Sequence, residues 1–239
     1  MEFNNHKITE AVCAFRFSPG KPWDVIYLLE YYNLIKNDGF TVKNEMKAVE
    51  LSFEIKGDQQ PKSNFSHGET QMVFKTADGK QAILMGSNYI SFHTLNHYPG
   101  WEGFKKMISE FYRKYLLLGL DGKLLNAQMI YINNFNLEEN KDLSDYLVFV
   151  PRMQQFGDGS EISHLFQSNY SIAPNKKLSL KTVLNVLPAK TKRLIFESNC
   201  IASKIDIKDE WENLADDAHN AARNAFIKVA SEYFKNLIK

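Results

Sequence analysis

Two stretches of this sequence can bury only one side, and each follows a run of strand signals. From Trp101 onward, Phe104, Met107, Ile108, Phe111, Tyr112 and Tyr115 recur at helical spacing on one face. Near the C-terminus, Ala215, Ala222, Phe226, Val229 and Tyr233 form a second stripe whose alanines permit close approach to a sheet. A helix with one apolar face needs a second layer to cover it. The intervening strands supply that layer, so the chain is α+β and a pure sandwich is disfavoured.

The first half opens with a strand over 8–17, followed by a helix from Trp23 to about Lys36 that Asn37-Asp38-Gly39 closes. Residues 48–55 alternate apolar and polar, as a strand with one wet face does. A polar loop is expected from Lys56 to Gly68, then strands over 70–76, 81–85 and 89–95, the first two joined by an Asp78-Gly79 turn. Pro99-Gly100 introduces the mid-chain helix. The second half runs from a strand over 125–137 to a short helix capped by Asn140, then strands over 164–172, 178–187, 193–197 and 200–207. Asp209 and Glu212 form a capping pair for a final helix of roughly 30 residues, about 45 Å long.

Each half is therefore strand, helix, three or four strands, helix. That is the order of a helix-grip unit, a curved antiparallel sheet with a long helix in its concave face. Two in tandem, 1–119 and 120–239, make one compact body resembling the TATA-binding-protein-like fold. The alternative is a single large antiparallel barrel or sheet with the same helices packed on it.

Charge is balanced in both halves: 14 Lys/Arg against 13 Asp/Glu in residues 1–119, and 15 against 15 in 120–239. Neither half is a basic body awaiting phosphate, which disfavours nucleic acid. The two cysteines, Cys13 and Cys200, lie in strand-like stretches and are expected to be buried free thiols. No basic-then-apolar leader opens the chain and no apolar run approaches the ~20 residues of a membrane span, so a cytoplasmic protein is expected.

The chemistry-bearing residues are sparse. His93 and His97, if both on a strand, stand about 13 Å apart, too far for one metal ion. His219 shares the apolar stripe of the last helix and is expected to be a core histidine bonded to Glu10 or a strand carbonyl. Gly157-Asp158-Gly159 lacks the context of a phosphate-binding loop. Ser163 and His164 are adjacent on a strand and face opposite sides, which excludes a nucleophile–base pair. Basic stretches at Lys176–Lys181 and Lys190–Arg193 suit solvated strand ends.

Four local patterns carry a resemblance. They are Glu10 and Arg16-Phe17 within the first strand, Tyr98-Pro99-Gly100-Trp101-Glu102-Gly103-Phe104, Ile130-Tyr131-Ile132-Asn133-Asn134, and His219 with Phe226. Together the chain resembles a sporadically distributed bacterial family of uncharacterised conserved hypothetical proteins. Ile130 stands where that family's strand has Arg, so no role of that cation carries over. The resemblance implies a bacterial protein, in the setting of mobile accessory or defence islands, and no particular activity. It marks Glu10, Arg16, Tyr131, Asn133 and His219 as candidate contact residues, with no catalytic set, metal or cofactor. A non-enzymatic protein-interaction or assembly module is expected, its partner a protein, self or other. A small ligand between the last helix and the sheet, and nucleic acid on the sheet, are the alternatives.

Overall fold

The computed structural model describes residues 8–18, 20–54, 62–120, 122–138, 140–148, 163–186, 192–204 and 210–237. In chain order these form β1 (Ile8–Ser18), α1 (Ile26–Ile35), β2 (Phe40–Glu54), β3 (Lys62–Thr76), β4 (Gln81–Gly86), β5 (Tyr89–Leu95) and α2 (Gly100–Leu116). There follow β6 (Lys123–Asn136), α3 (Leu143–Tyr146), β7 (Ser163–Ala173), β8 (Lys176–Val186), β9 (Lys192–Ser203), α4 (Trp211–Val229) and α5 (Glu232–Leu237). The fold is α+β.

The nine described strands join one open antiparallel sheet in the order β2-β3-β4-β5-β1-β6-β9-β8-β7. It does not close into a barrel. The first strand of each half lies at the centre, and from the β1–β6 pair the chain order runs backwards on both sides.

Strand alternation decides which face is covered. On β1 the side chains of Ala11, Cys13, Phe15 and Phe17 are buried, while Arg16 is exposed. The register carries this parity across the sheet: Cys13 faces Met129, which faces Cys200, all three fully buried. The two thiols are thus two strands apart, about 10 Å, beyond disulfide reach, and both are free. The larger core cluster joins this face of both halves to α1, α2 and α4. A smaller one joins Phe135, Leu184, Leu194 and Phe196 to Tyr146 of α3, Phe226 of α4 and Phe234 of α5. The five described α-helices therefore lie on one face, and no described helix covers the other.

α2 and α4 run antiparallel, in contact across the sheet's middle. Trp101 near the start of α2 stacks on His219 in mid-α4, while Tyr112 lies 5.5 Å from Trp211 at the start of α4. α1 is pinned beside α2 by the Tyr31 hydroxyl, which donates to the Phe111 carbonyl at 3.1 Å.

Several boundaries differ from the sequence expectation, each for a local reason. α1 starts at Ile26 and not at Trp23, because Asp24 Oδ1 accepts the Ile26 N–H at 2.9 Å and sets the first turn. It ends as expected, with Gly39 at φ 93°. The strand expected over 48–55 begins at Phe40, and residues 62–68, expected in a loop, lie in β3. Pairing with β2 gives that polar run its strand conformation, since its backbone groups find partners there. The strands expected over 193–197 and 200–207 are one, β9, with Ser198 and Asn199 continuous in its pairing to β6 and β8.

Asp142, not Asn140, borders α3, where Asp145 Oδ2 accepts its N–H at 2.8 Å. The long final helix stops at Val229: Ala230 is extended, bridges to Leu147 and leads into α5. Glu210 occupies the α4 boundary without a side-chain cap. Asp209, the Gly157–Gly159 loop and Lys190 lie outside the described residues, as do the side chains of Ser163 and His164.

Candidate functional site

The helix-covered face holds a connected polar cluster where α2, α4 and β6 meet. β6 presents Tyr131 toward the helices because it alternates with the half-buried Ile130 and Ile132. The Tyr131 hydroxyl lies 2.6 Å from His219 Nδ1 and 3.0 Å from the Tyr98 hydroxyl. Trp101 stacks flat on the His219 ring, 4.4 Å between centroids and 5° between planes. Its Nε1–H donates to Asp216 Oδ1 at 2.8 Å, and Lys105 Nζ donates to Asp216 Oδ2 at 2.6 Å.

Burial controls the protonation of this cluster. Desolvation, reinforced by the Arg223 guanidinium, lowers the His219 pKa to about 4, against a smaller upward pull from Asp216. Burial likewise pushes Tyr131 well above the usual phenol range and Tyr98 up to about 12. At neutral pH the imidazole is uncharged and both phenols keep their protons. Donation from Tyr98 to Tyr131, and from Tyr131 to His219 Nδ1, then uses each hydroxyl proton once. This is chemistry for fastening two helices to a strand. Two more hydroxyls share the row: Thr94 and Ser198, both buried and without a hydrogen-bond partner among the described residues, flank Ala11 and Tyr131 across four adjacent strands.

A second cluster lies on the face that no described helix covers. Ser91 Oγ is 2.9 Å from His93 Nε2, and His93 Nδ1 is 2.9 Å from Glu10 Oε1. The connectivity is that of a nucleophile, base and acid. Ser91, however, is only 3% exposed, and it sits inside β5 between β4 and β1. Ladder pairing on both sides occupies the backbone N–H groups that an oxyanion hole would need. Among the described residues no free backbone N–H pair faces Ser91, and the cluster's hydrogen bonds tie β5 to β1.

The five sequence candidates thus divide between faces. Tyr131 and His219 meet directly. Asn133 is buried next along β6, its Nδ2 3.5 Å from the Phe196 carbonyl. Glu10 does not bond His219 as expected, because strand alternation turns it to the opposite face. Arg16 shares that face and lies over Tyr89, 5.7 Å from its ring centre. Sequence reasoning missed the Ser91–His93 contact, although a two-residue spacing on a strand places both on one side. It also missed Trp101 as the cover of His219. Among the described residues no three His, Cys, Asp or Glu side chains gather as a metal-ligand set. No described helix is long and apolar enough to cross a membrane. No family model matches this chain, and no curated protein matches it.

Proposed function

We propose that this chain is a non-enzymatic protein-interaction module, built from two helix-grip units in tandem, whose partner protein docks on the sheet face opposite the helices. The observation that carries the reading is that the five described α-helices all pack on one face of the sheet formed by the nine described strands. The opposite face is broad, about 38 Å across nine strands. Ile130 and Ile132 of β6, Ile195 and Ile201 of β9 and Val183 of β8 stand on it, all half-buried. Gln128, Asn199, Ser179 and Lys181 lie among them and Arg16 and Arg193 at its margins, a mixture of apolar centre and polar surround suited to a protein contact.

The tandem reading draws on strand order: β1, β5, β4, β3 and β6, β9, β8, β7 trace corresponding paths outward, with β2 as an extra edge strand in the first half. The bacterial accessory or defence setting that the resemblance suggests is compatible with such a module.

Ile130→Lys and Ile201→Lys test the docking face. Both variants should melt like wild type and lose a protein that co-purifies with wild type from its native cells. The reading fails if wild type retains no protein that the variants lose.

A further inference from the structure

Among the described strands β7 ends the sheet, and its sequence carries neither charge nor proline to discourage pairing. The free backbone of an edge strand is a template for another chain, and edges are ordinarily blunted by charge, proline or bulges. β2, at the other end, follows that rule: Lys43, Glu45, Lys47, Glu50 and Glu54 are spread along its 15 residues. β7 has no Lys, Arg, Asp, Glu or Pro from Ser163 to Ala173. Its one register irregularity lies at the far end, between Ser171 and Ala173. Leu165, on the open face, is 64% exposed, and Tyr170 and Ile172, on the helix side, are each 46% exposed.

We propose that β7 is a self-pairing edge: two copies of this chain join β7 to β7, antiparallel about a twofold axis, merging their sheets into one. The strand's own symmetry selects a second copy over an unrelated peptide. An axis at Ser168, the midpoint of 163–173, overlaps the strand along its whole length. Ser168 then faces Ser168 of the second copy, and Phe166 faces Tyr170 of the second copy on the helix side, twice by symmetry. On the open side Gln167 faces Asn169 of the second copy and Leu165 faces Ser171. Aromatic cross-strand pairs favour this register, and no like charges are brought together. The contact is isologous and closes at two subunits.

This inference stands apart from the docking-face reading, because it concerns the strand's edge and a known partner. Sedimentation equilibrium of the full chain should give a dimer. Gln167→Lys combined with Asn169→Lys, both at exposed positions, sets ammonium groups opposite each other and should yield a monomer that still unfolds in one cooperative transition, its midpoint no longer dependent on concentration. Tyr170→Lys is an independent second disruption with the same expected result. Under mild oxidation Ser168→Cys should cross-link, since facing Cβ atoms lie about 4.5–5.5 Å apart. Ser171→Cys should not, its copy being about 20 Å away in this register. The native thiols, both buried, do not compete. A wild type that stays monomeric at its highest soluble concentration overturns self-pairing while leaving the docking-face reading intact. A dimer that survives the lysines, or that cross-links through Ser171→Cys in preference to Ser168→Cys, overturns it equally.

Discussion

His219 gives up water without gaining a carboxylate close enough to offset the loss, so its pKa falls from 6.5 to about 4. Between those values the unfolded chain binds a proton that the folded chain refuses. The contribution to stability is therefore complete above the unfolded pKa and is lost as pH falls toward the folded one. The span corresponds to as much as about 3 kcal/mol. Urea unfolding near pH 7.5 and near pH 4.5 should show wild type losing more stability on acidification than His219→Gln, which does not titrate there. Equal losses would refute the assignment. At neutral pH His219→Ala should cost roughly 1–3 kcal/mol, because the Tyr131 hydroxyl loses its partner in a buried site. Both members of this pair were marked in the sequence, yet the bond between them was not legible there. They are 88 residues apart, and only the β6 parity and the α4 position bring them together. Glu10 shows the same limit from the other side: its identity suggested a histidine partner, and alternation along β1 supplied His93 in place of His219.

Elements with strong internal periodicity were legible, and elements that depend on neighbours were not. α2 follows its apolar stripe because Phe104, Met107, Ile108, Phe111, Tyr112 and Tyr115 are all buried. The first part of β3 has no such pattern, since Ser63-Asn64 and Ser66-His67-Gly68 favour turns when read alone. The break between α4 and α5 was equally hidden, because Ala230 is a strong helix former. Tertiary contacts win there: Val148 N–H donates to the Val229 carbonyl, Ser231 N–H to the Tyr146 carbonyl, and the Ser231 hydroxyl to the Asp145 carbonyl. Phe234 then fills the smaller core, fully buried, 4.4 Å from Phe135 and 5.6 Å from Phe226 by ring centres. Phe234→Ala should destabilise the chain by about 3–5 kcal/mol, read from the denaturant midpoint. It should also speed amide exchange at Leu147 and Ala230. A loss under about 1 kcal/mol would mean that α5 is a loosely attached end and not part of the core.

For the whole molecule, the decisive geometry is that the two halves meet through their central strands. β1 and β6 pair from Ile8 to Ser18, and α2 crosses to α4 through Trp101 with Asp216 and Tyr112 with Trp211. Cutting the chain between α2 and β6 would therefore leave each half with an uncapped, largely apolar strand edge and one bare helix flank. Val12, Cys13 and Phe15 on one side, and Met129, Ile130 and Tyr131 on the other, would lose the neighbours that bury them. The connection between α2 and β6 is short, 117–122, and it makes association of the two halves intramolecular. Expressed separately, fragments 1–121 and 122–239 should each be insoluble or melt without cooperativity. Expressed together, they should form a 1:1 complex with one cooperative transition below that of the intact chain. The lowering should depend on concentration, as association requires. A fragment that is monomeric and cooperatively folded by itself would show that its half carries a sufficient core, and that the β1–β6 pair is a contact between two finished domains.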